Sequence, residues 1–517
     1  MLFKDQNNIC LNLTKDVLKH CSNPDNALRP KACAIFYLLL DQNYKITGDY
    51  EKMAVVSSVA LSELLGKNVI ADSRVLSNSL DSVRDYALEK LKKEGGGEKQ
   101  AEALTRTLKK NSALLQYNQT ISEVSSIDPE LTTDLYEKIS NAYLEAPDTR
   151  VQWIENMASY HISHKNYVEA ALCKIHHAEL IREYLQTYSP SAQDKNLPIS
   201  TSHFASISPS VGKEPPLFPN LTESDTGDDD EISSRFQLAS WSVMGLVELL
   251  VAAGKWLREA TCYESALEVY SILEIIFKYT NNYTELLKIL DVYRECVSTL
   301  LQEPARLIPK YFRVSYFGKK CGDLNKRGFI YRVGPGMSLH AFTAAIKGTF
   351  KGQVKGDSDF VIMPNKAVED EGLDPEKIHL QIGGITVYHH TDAPTSSEFV
   401  QNHFCDQFLF EMSHQKTQKK KLIYTVERPF PYVKTRLEIV KMDEMILSPI
   451  EAAIENVNDR VKAIRTELSA AAPRMNTIQQ ILQGSVVPMV NEGPLKICAD
   501  FLAPEVIDQF DPTHVAT

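Results

Sequence analysis

His389, His390, His403 and Cys405 lie close together in the chain. Such residues could ligate zinc, and a cysteine could also serve as a nucleophile. Their spacing matches no zinc pattern, and none of the nine cysteines forms a CxxC pair. Cys405 would need a base and an orienting group, and the sequence nominates neither. His161 and His164, and His176 and His177, fall in helical segments without a third ligand. No P-loop, GxGxxG, HExxH or GxSxG occurs in a useful context. GPGMSL at Gly334 lacks the phosphate-cradling pattern and reads as a turn. An enzyme with its own catalytic groups is therefore not expected, nor is a resident metal or cofactor. The stretch with unusual chemistry is SVVPMVNEG, residues 485–493. Pro488 removes a backbone donor, and Asn491 and Gly493 favour turns, so it cannot be regular helix. Val487, Met489 and Val490 are apolar for a simple connector.

The elements that must carry this loop begin with the chain as a whole. At 517 residues it should hold roughly three compact units. Apolar residues make up 43% and charged residues 24%, the balance of a globular protein able to bury large cores. A net charge of −11 does not advertise nucleic acid or an anionic membrane as partner. Sparse cysteines fit a reducing cytosol, and MLFKDQNNIC shows no signal peptide. Four Asn-x-Ser/Thr sequons, including Asn12 and Asn282, read as chance without a secretory address. The most apolar stretch, 236–257, carries Glu248 and Lys255 and reads as a buried amphipathic helix rather than a membrane span.

The pattern predicts a mainly α protein with an inserted β-sheet lobe. Residues 1–130 read as helical repeats, with EGGGEK (94–99) as a break, and the first residues resemble a cut through such an array. Residues 131–305 form a helical lobe. Trp153, Met157 and Tyr160 share one face, as do Val168, Ala171, Leu172, Ile175, Ala178 and Ile181. YVEAAL at Tyr167, YESALE at Tyr263 and YTELLK at Tyr283 echo one another, as in helix-pair repeats, with a peptide groove as the other reading. Residues 186–235 are rich in Ser, Pro and acidic residues and are expected to be a disordered loop. The sheet lobe covers 306–440, starting where YFRVSYFG (311–318) alternates with period two. Further strands are expected at 328–333, 359–363, 377–388, 407–413 and 420–433, with a helix near 339–350. The basic run 416–421 reads as a hairpin tip or, less simply, a partner-facing patch. A helical bundle fills 441–517. Ser448-Pro449-Ile450-Glu451 starts its first helix with a capping box. Ile450, Ile454, Val457, Val461, Ile464 and Leu468 then trace a heptad seam. A second helix is expected from Met475 to Leu482, ending at Gly484, and Pro494 opens another after the apolar loop.

The segments APDTRVQWIENMASYH (146–161), EAALCKIHHAELIREYL (169–185), YFRVSYFG (311–318), FPYVKTR (430–436), ILSPIEAAIE (446–455) and LQGSVVPMVNEGPL (482–495) are long and specific. Together with the order of helix pairs, sheet and interrupted bundle, they resemble the DOCKER domain, or Dock-homology region 2, of the dedicator-of-cytokinesis guanine nucleotide exchange factors. The wording is nearer the zizimin-type and Dock-C-type branches than the Rac-only branches. The resemblance implies binding of Rac- or Cdc-type Rho-family GTPases, with the sheet lobe contacting the first switch. It also implies that a valine in the interrupted helix acts as nucleotide sensor, occluding the magnesium position. The matching valine is Val490, followed by Asn491, Gly493 and Pro494. Homodimerisation through 150–180 and 236–300, and membrane recruitment by domains outside this chain, are likewise implied. In the family a long helix follows the sensor helix, whereas this chain ends at Thr517, so the resemblance implies a shortened bundle.

The implied mechanism is physically coherent. Magnesium bridges the nucleotide phosphates and offsets their charge. An apolar side chain in its place offers no ligand oxygen, so the nucleotide loses its counter-ion. Such a protein has only to bind the nucleotide-free GTPase better than the loaded one. Two other readings remain at this point: a GTPase-binding or self-associating scaffold that drives no exchange, and an unrelated hydrolase using Cys405 or a histidine.

Overall fold

The computed structural model describes residues 9–66, 69–70, 72–94, 98–144, 147–217, 241–302, 307–350, 354, 356–364, 373–389, 398–412, 419–469, 474–486, 501–503, 507, 510 and 513. Helices come first: α1 Ile9–Cys21, α2 Arg29–Thr47, α3 Glu51–Gly66, α4 Ser73–Glu94, α5 Glu98–Val124, α6 Pro129–Ala142, α7 Pro147–Ser163 and α8 Tyr167–Thr187. Two short helices, α9 Ala192–Lys195 and α10 Thr201–Ala205, precede α11 Val243–Glu259, α12 Tyr263–Tyr279 and α13 Tyr283–Gln302. The sheet region holds β1 Lys310–Phe317, β2 Gly328–Val333, α14 Leu339–Thr349, β3 Phe360–Ile362, β4 Ile378–Val387, α15 Glu398–His403, β5 Cys405–Met412, β6 Lys419–Phe430 and β7 Arg436–Leu447. Then follow α16 Pro449–Ser469 and α17 Met475–Val486. The molecule is mainly α with an inserted sheet, as the sequence pattern predicts.

The Tyr echo marks one joint used three times. Lys165, Thr261 and Asn281 all adopt φ between 55° and 61°, one residue before Asn166, Cys262 and Asn282. The amides of those three residues donate to the carbonyls of His161, Leu257 and Phe277, each at 2.9 Å. That is the 6→1 bond that closes a helix C-terminus. The next helix starts at Tyr167, Tyr263 or Tyr283. The echo is therefore helix-pair packing. Where α11 crosses α12, Gly254 lets the helices approach: a Cβ there would lie 2.7 Å from the Tyr270 ring.

The segment expected to be disordered divides in two. Residues 188–217 are folded, with Leu197, Ile199, Phe204, Ile207, Val211 and Leu217 buried in the main core. Ser191 caps α9, accepting from the Asp194 amide at 3.3 Å. The Ser-rich composition that reads as disorder instead supplies caps and hydroxyl donors, and the six apolar residues bury enough surface to fix the chain. The acidic run 222–231 lies outside the described residues.

Seven strands are present among the described residues. Six close a ring in the order β1-β2-β7-β6-β5-β4, with β1 also pairing β4, and β3 adds in parallel to β4. All other pairs are antiparallel. β4 passes from β1 to β5 just after Gly383 and Gly384, where missing side chains let a strand turn a corner. β1 is buried on both faces. Phe312, Val314 and Tyr316 join Phe342 and Ile346 of α14 in one cluster. Tyr311, on the other face, joins the large core shared with α7, α8, α11 and α12. β7 was not anticipated from sequence: acidic Glu438, Asp443 and Glu444 break its alternation, yet it pairs with β2 and β6. α17 also runs two residues past Gly484 to Val486, because a single glycine weakens a helix by about 1 kcal/mol without ending it.

Candidate functional site

Val490, Asn491, Gly493 and Pro494, the residues expected to form the sensor, lie outside the described residues. The structure shows what leads up to them. The Ser448 amide donates to Glu451 Oε2 at 2.8 Å, and the Glu451 amide donates to Ser448 Oγ at 3.4 Å, so the capping box forms. On the seam of α16, Ile450 is 5% exposed, while Val461 is 38% and Leu468 58% exposed. The base of α16 is tied to the sheet by Lys421 of β6, which pairs with Glu455 of α16 and lies 3.7 Å from Glu411 of β5. Lys420 pairs with Glu444 at 2.6 Å. This part of the basic run is thus spent on internal pairs rather than on an outer patch. The tip itself, 413–418, lies outside the described residues, between the antiparallel strands β5 and β6.

Beside α16, β7 presents an apolar row that no sequence motif signalled. Val440, Met442 and Ile446 are each more than half exposed; Met442 and Ile446 share one strand face, and Val440 sits at the register shift just before them. Met475 and Leu482 of α17 are exposed as well. An apolar surface of this kind suits contact with a macromolecule, not proton transfer.

The groups that could have carried covalent chemistry are poorly placed for it. Cys405 is buried, its thiol donates to the Tyr311 hydroxyl at 3.2 Å, and burial pushes it up to about 12. Burial also holds His403 well below the ordinary histidine range, and its ring stacks on Phe399 at 4.5 Å. His161 hydrogen-bonds the Val433 carbonyl at 2.8 Å. Among the described residues no group of three His, Cys, Asp or Glu is placed to hold a metal ion. His390 lies outside the described residues.

What the specific sequence segments build is the junction between helices and sheet, which sequence reasoning missed. Arg436 and Lys434, at the start of and just before β7, both reach Asp134 of α6, at 2.6 Å and 3.3 Å. Lys434 also pairs with Glu137 at 2.5 Å. Burial would raise the Asp134 carboxyl, but Arg436 and Lys434 hold it below the usual range. Arg332 of β2 meets Glu169 of α8 at 2.9 Å, with both side chains at least nine-tenths buried. Glu214 is approached by the Tyr432 hydroxyl at 3.1 Å, His176 and Arg150 at 3.4 Å, and Arg428 at 3.5 Å. Ser208 and Ser210 donate to the carbonyls of Pro431 and Pro429 at 3.3 Å and 2.9 Å. A cavity of about 290 Å³ lies in this seam, lined by Arg150, His176, Glu183, Glu214 and Tyr432 among others. The junction sets the sheet, and through Lys421 the base of α16, against the helical lobe.

Comparison with known proteins agrees with this layout. Residues 134–302 match the family model for DHR-2, Lobe A, and residues 463–517 match that for DHR-2, Lobe C. Dedicator of cytokinesis protein 7 of Homo sapiens is 30% identical over 97% of this chain and 24% of its own length. Dedicator of cytokinesis protein 8 of Mus musculus is 29% identical over the same shares, and protein 9 of Mus musculus 23% identical over 97% of this chain and 25% of its own length. The chain spans about a quarter of the length of the curated relatives it matches. No described helix is long and apolar enough to cross a membrane.

Proposed function

Because this chain belongs to the dedicator-of-cytokinesis family and carries its DHR-2 region, we propose that it is a guanine nucleotide exchange factor for a Rho-family GTPase of the Rac or Cdc type. The observation that carries this reading is similarity along 97% of the chain, with DHR-2 lobes matched both before and after the sheet. The GTPase lies against the sheet and the bundle, where the apolar row Val440, Met442 and Ile446 adjoins α16. Val490 enters the nucleotide site and occludes the magnesium position, with Asn491, Gly493 and Pro494 shaping the turn behind it. Removing the counter-ion weakens phosphate binding, and the nucleotide-free GTPase is the state this surface favours. The protein supplies no cofactor and no metal of its own; it acts on the magnesium and GDP of its partner.

The test is release of a fluorescent GDP analogue from Rac-type and Cdc-type GTPases. The chain is expected to accelerate release, and Val490→Ala to cut that acceleration by at least about tenfold, or about 1.4 kcal/mol of barrier. Equal acceleration by the variant would remove the sensor role. Binding to nucleotide-free GTPase without acceleration would leave a scaffold of the same fold.

The same reading includes a homodimer through the helical lobe. On α13, Tyr283, Leu287 and Leu290 recur at i, i+4 and i+7 and are 65%, 64% and 42% exposed. Met244 and Val251 of α11 are exposed too. Leu287→Asp is expected to convert a sedimenting dimer to monomer with its helical content unchanged. A wild-type chain that sediments as monomer at micromolar concentration would overturn the dimer.

A further inference from the structure

We propose that the cavity at the junction of helices and sheet binds a small organic cation, a protonated amine carried on an apolar body. The cavity, of about 290 Å³, is walled by residues of α6, α7 and α8, by residues 211–216, and by Tyr432 and Val433 between β6 and β7. A cavity of about 150 Å³ is enough for a benzene, so this one has room for about ten non-hydrogen atoms. Its apolar wall includes Ile154, Met157, Leu180, Val211, Pro215 and Val433. His176, Glu179 and Glu183 follow at i, i+3 and i+7 on α8, and all three line the space. The cavity lies apart from the surface assigned to exchange, and its ligand does not depend on that assignment.

The sign of the ligand follows from which lining charges are already met. Arg150 donates to the Pro215 carbonyl at 3.0 Å and pairs with Glu214 at 3.4 Å. Arg182 donates to Glu179 from Nε at 2.8 Å and from Nη2 at 2.7 Å, and its Nη1 donates to Gln186. Both guanidinium groups thus face carboxylates of the chain itself, which speaks against an anionic ligand. Glu137 meets Lys434 at 2.5 Å and accepts from the Tyr432 hydroxyl at 2.7 Å. Glu183 differs. Its Oε1 accepts from the Leu217 amide at 2.9 Å, and among the described residues it forms no ion pair. Burial pushes its carboxyl up, and the Leu217 amide with the charges of Arg182 and Arg150 offsets only part of that. A carboxylate withdrawn from water without a cation is costly, and a cation placed beside it removes that cost.

A ligand seated here touches walls from both sides of the junction. Met157 and Leu180 belong to the helical lobe, while Val433 belongs to the link that carries Lys434 and Arg436 into β7. A molecule that fits only the closed seam stabilises it by mass action. Binding is therefore read in the local opening of the seam as well as in heat.

The test titrates three molecules of one shape into the full chain at neutral pH: phenethylamine, phenethyl alcohol and phenylacetate. The first is a cation, the second neutral and the third an anion. By calorimetry the amine should bind at least about tenfold tighter than the alcohol, and phenylacetate more weakly than either. Saturating amine should slow hydrogen exchange of peptides covering 201–217 and 429–438, which places it in the cavity. Glu183→Gln keeps an acceptor for the Leu217 amide and should cut the preference for amine over alcohol to about threefold or less. A further arm with Nα-acetyl-lysine amide separates the sources of the cation: tighter binding than phenethylamine assigns the cavity to a peptide lysine, weaker binding to a free amine. No binding of the amine at millimolar concentration, or alcohol or phenylacetate binding as tightly, would overturn the proposal. The comparison among the three molecules needs no variant, so a folding defect in Glu183→Gln leaves the test intact.

Discussion

Asp134→Ala is expected to weaken the junction between helices and sheet by about 3–5 kcal/mol. Asp134 answers two cations at once, Arg436 and Lys434, which are 4% and 8% exposed. Taking a charge out of water is costly, and these two are tolerated because a carboxylate meets them. Without Asp134, Lys434 keeps Glu137, but the guanidinium of Arg436 loses its paired carboxylate and keeps the Tyr331 hydroxyl at 3.3 Å, the face of Phe329 and the charge of Asp128. A chain with several lobes need not unfold in one step, so the local measurement is the better one. Hydrogen exchange of peptides covering 429–438 should accelerate by two orders of magnitude or more, taking about 1.4 kcal/mol per tenfold. Arg436→Met combined with Asp134→Leu should recover much of the loss, since an apolar pair of similar volume leaves no buried charge. Exchange unchanged within a factor of three in Asp134→Ala would show that the ion pairs contribute little to the junction.

Acid is expected to open the same seam from its other end. Burial alone would raise the Glu214 carboxyl. The hydrogen bond and charge of His176, with the charges of Arg428 and Arg150, outweigh it and hold the group at about 2, against an ordinary 4.5. A carboxylate depressed in the folded state stabilises the fold fully above its unfolded value. That contribution is lost as pH falls from about 4.5 toward 2, and a shift of this size corresponds to about 3 kcal/mol. Unfolding midpoints in urea measured across that range should fall for the wild type. Glu214→Gln should lower the midpoint at pH 7 and flatten its dependence below 4.5. Parallel profiles for the two proteins would sink the assignment. Segment 201–217 carries Glu214, so its exchange should respond first.

These effects explain why the specific sequence segments were legible while their roles were not. APDTRVQWIENMASYH contributes Arg150 and His161 to the junction, EAALCKIHHAELIREYL contributes Glu169 and His176, and FPYVKTR contributes Tyr432, Lys434 and Arg436. They look like functional motifs because their charges are unusual in apolar surroundings. In the folded chain those charges meet each other and join the lobes. The opposite error occurred at 188–217, where polar composition masked six buried apolar residues.

By itself the sequence determined most of the elements and their order, β7 and the folded stretch 188–217 excepted. Period 3.6 against period two, the capping box at Ser448, and the Tyr-initiated helices are local properties, decided by neighbours within a turn or two. It also determined the family, through segments long enough to be specific. Only the tertiary structure decided which charges are partners. Arg436 and Asp134 are 302 positions apart, and Arg332 and Glu169 are 163 apart. A charge's partner is whatever lies within a few ångströms after folding, and sequence separation carries no information about that distance. The same holds for β7, whose mixed face becomes a strand because β2 and β6 offer it backbone partners.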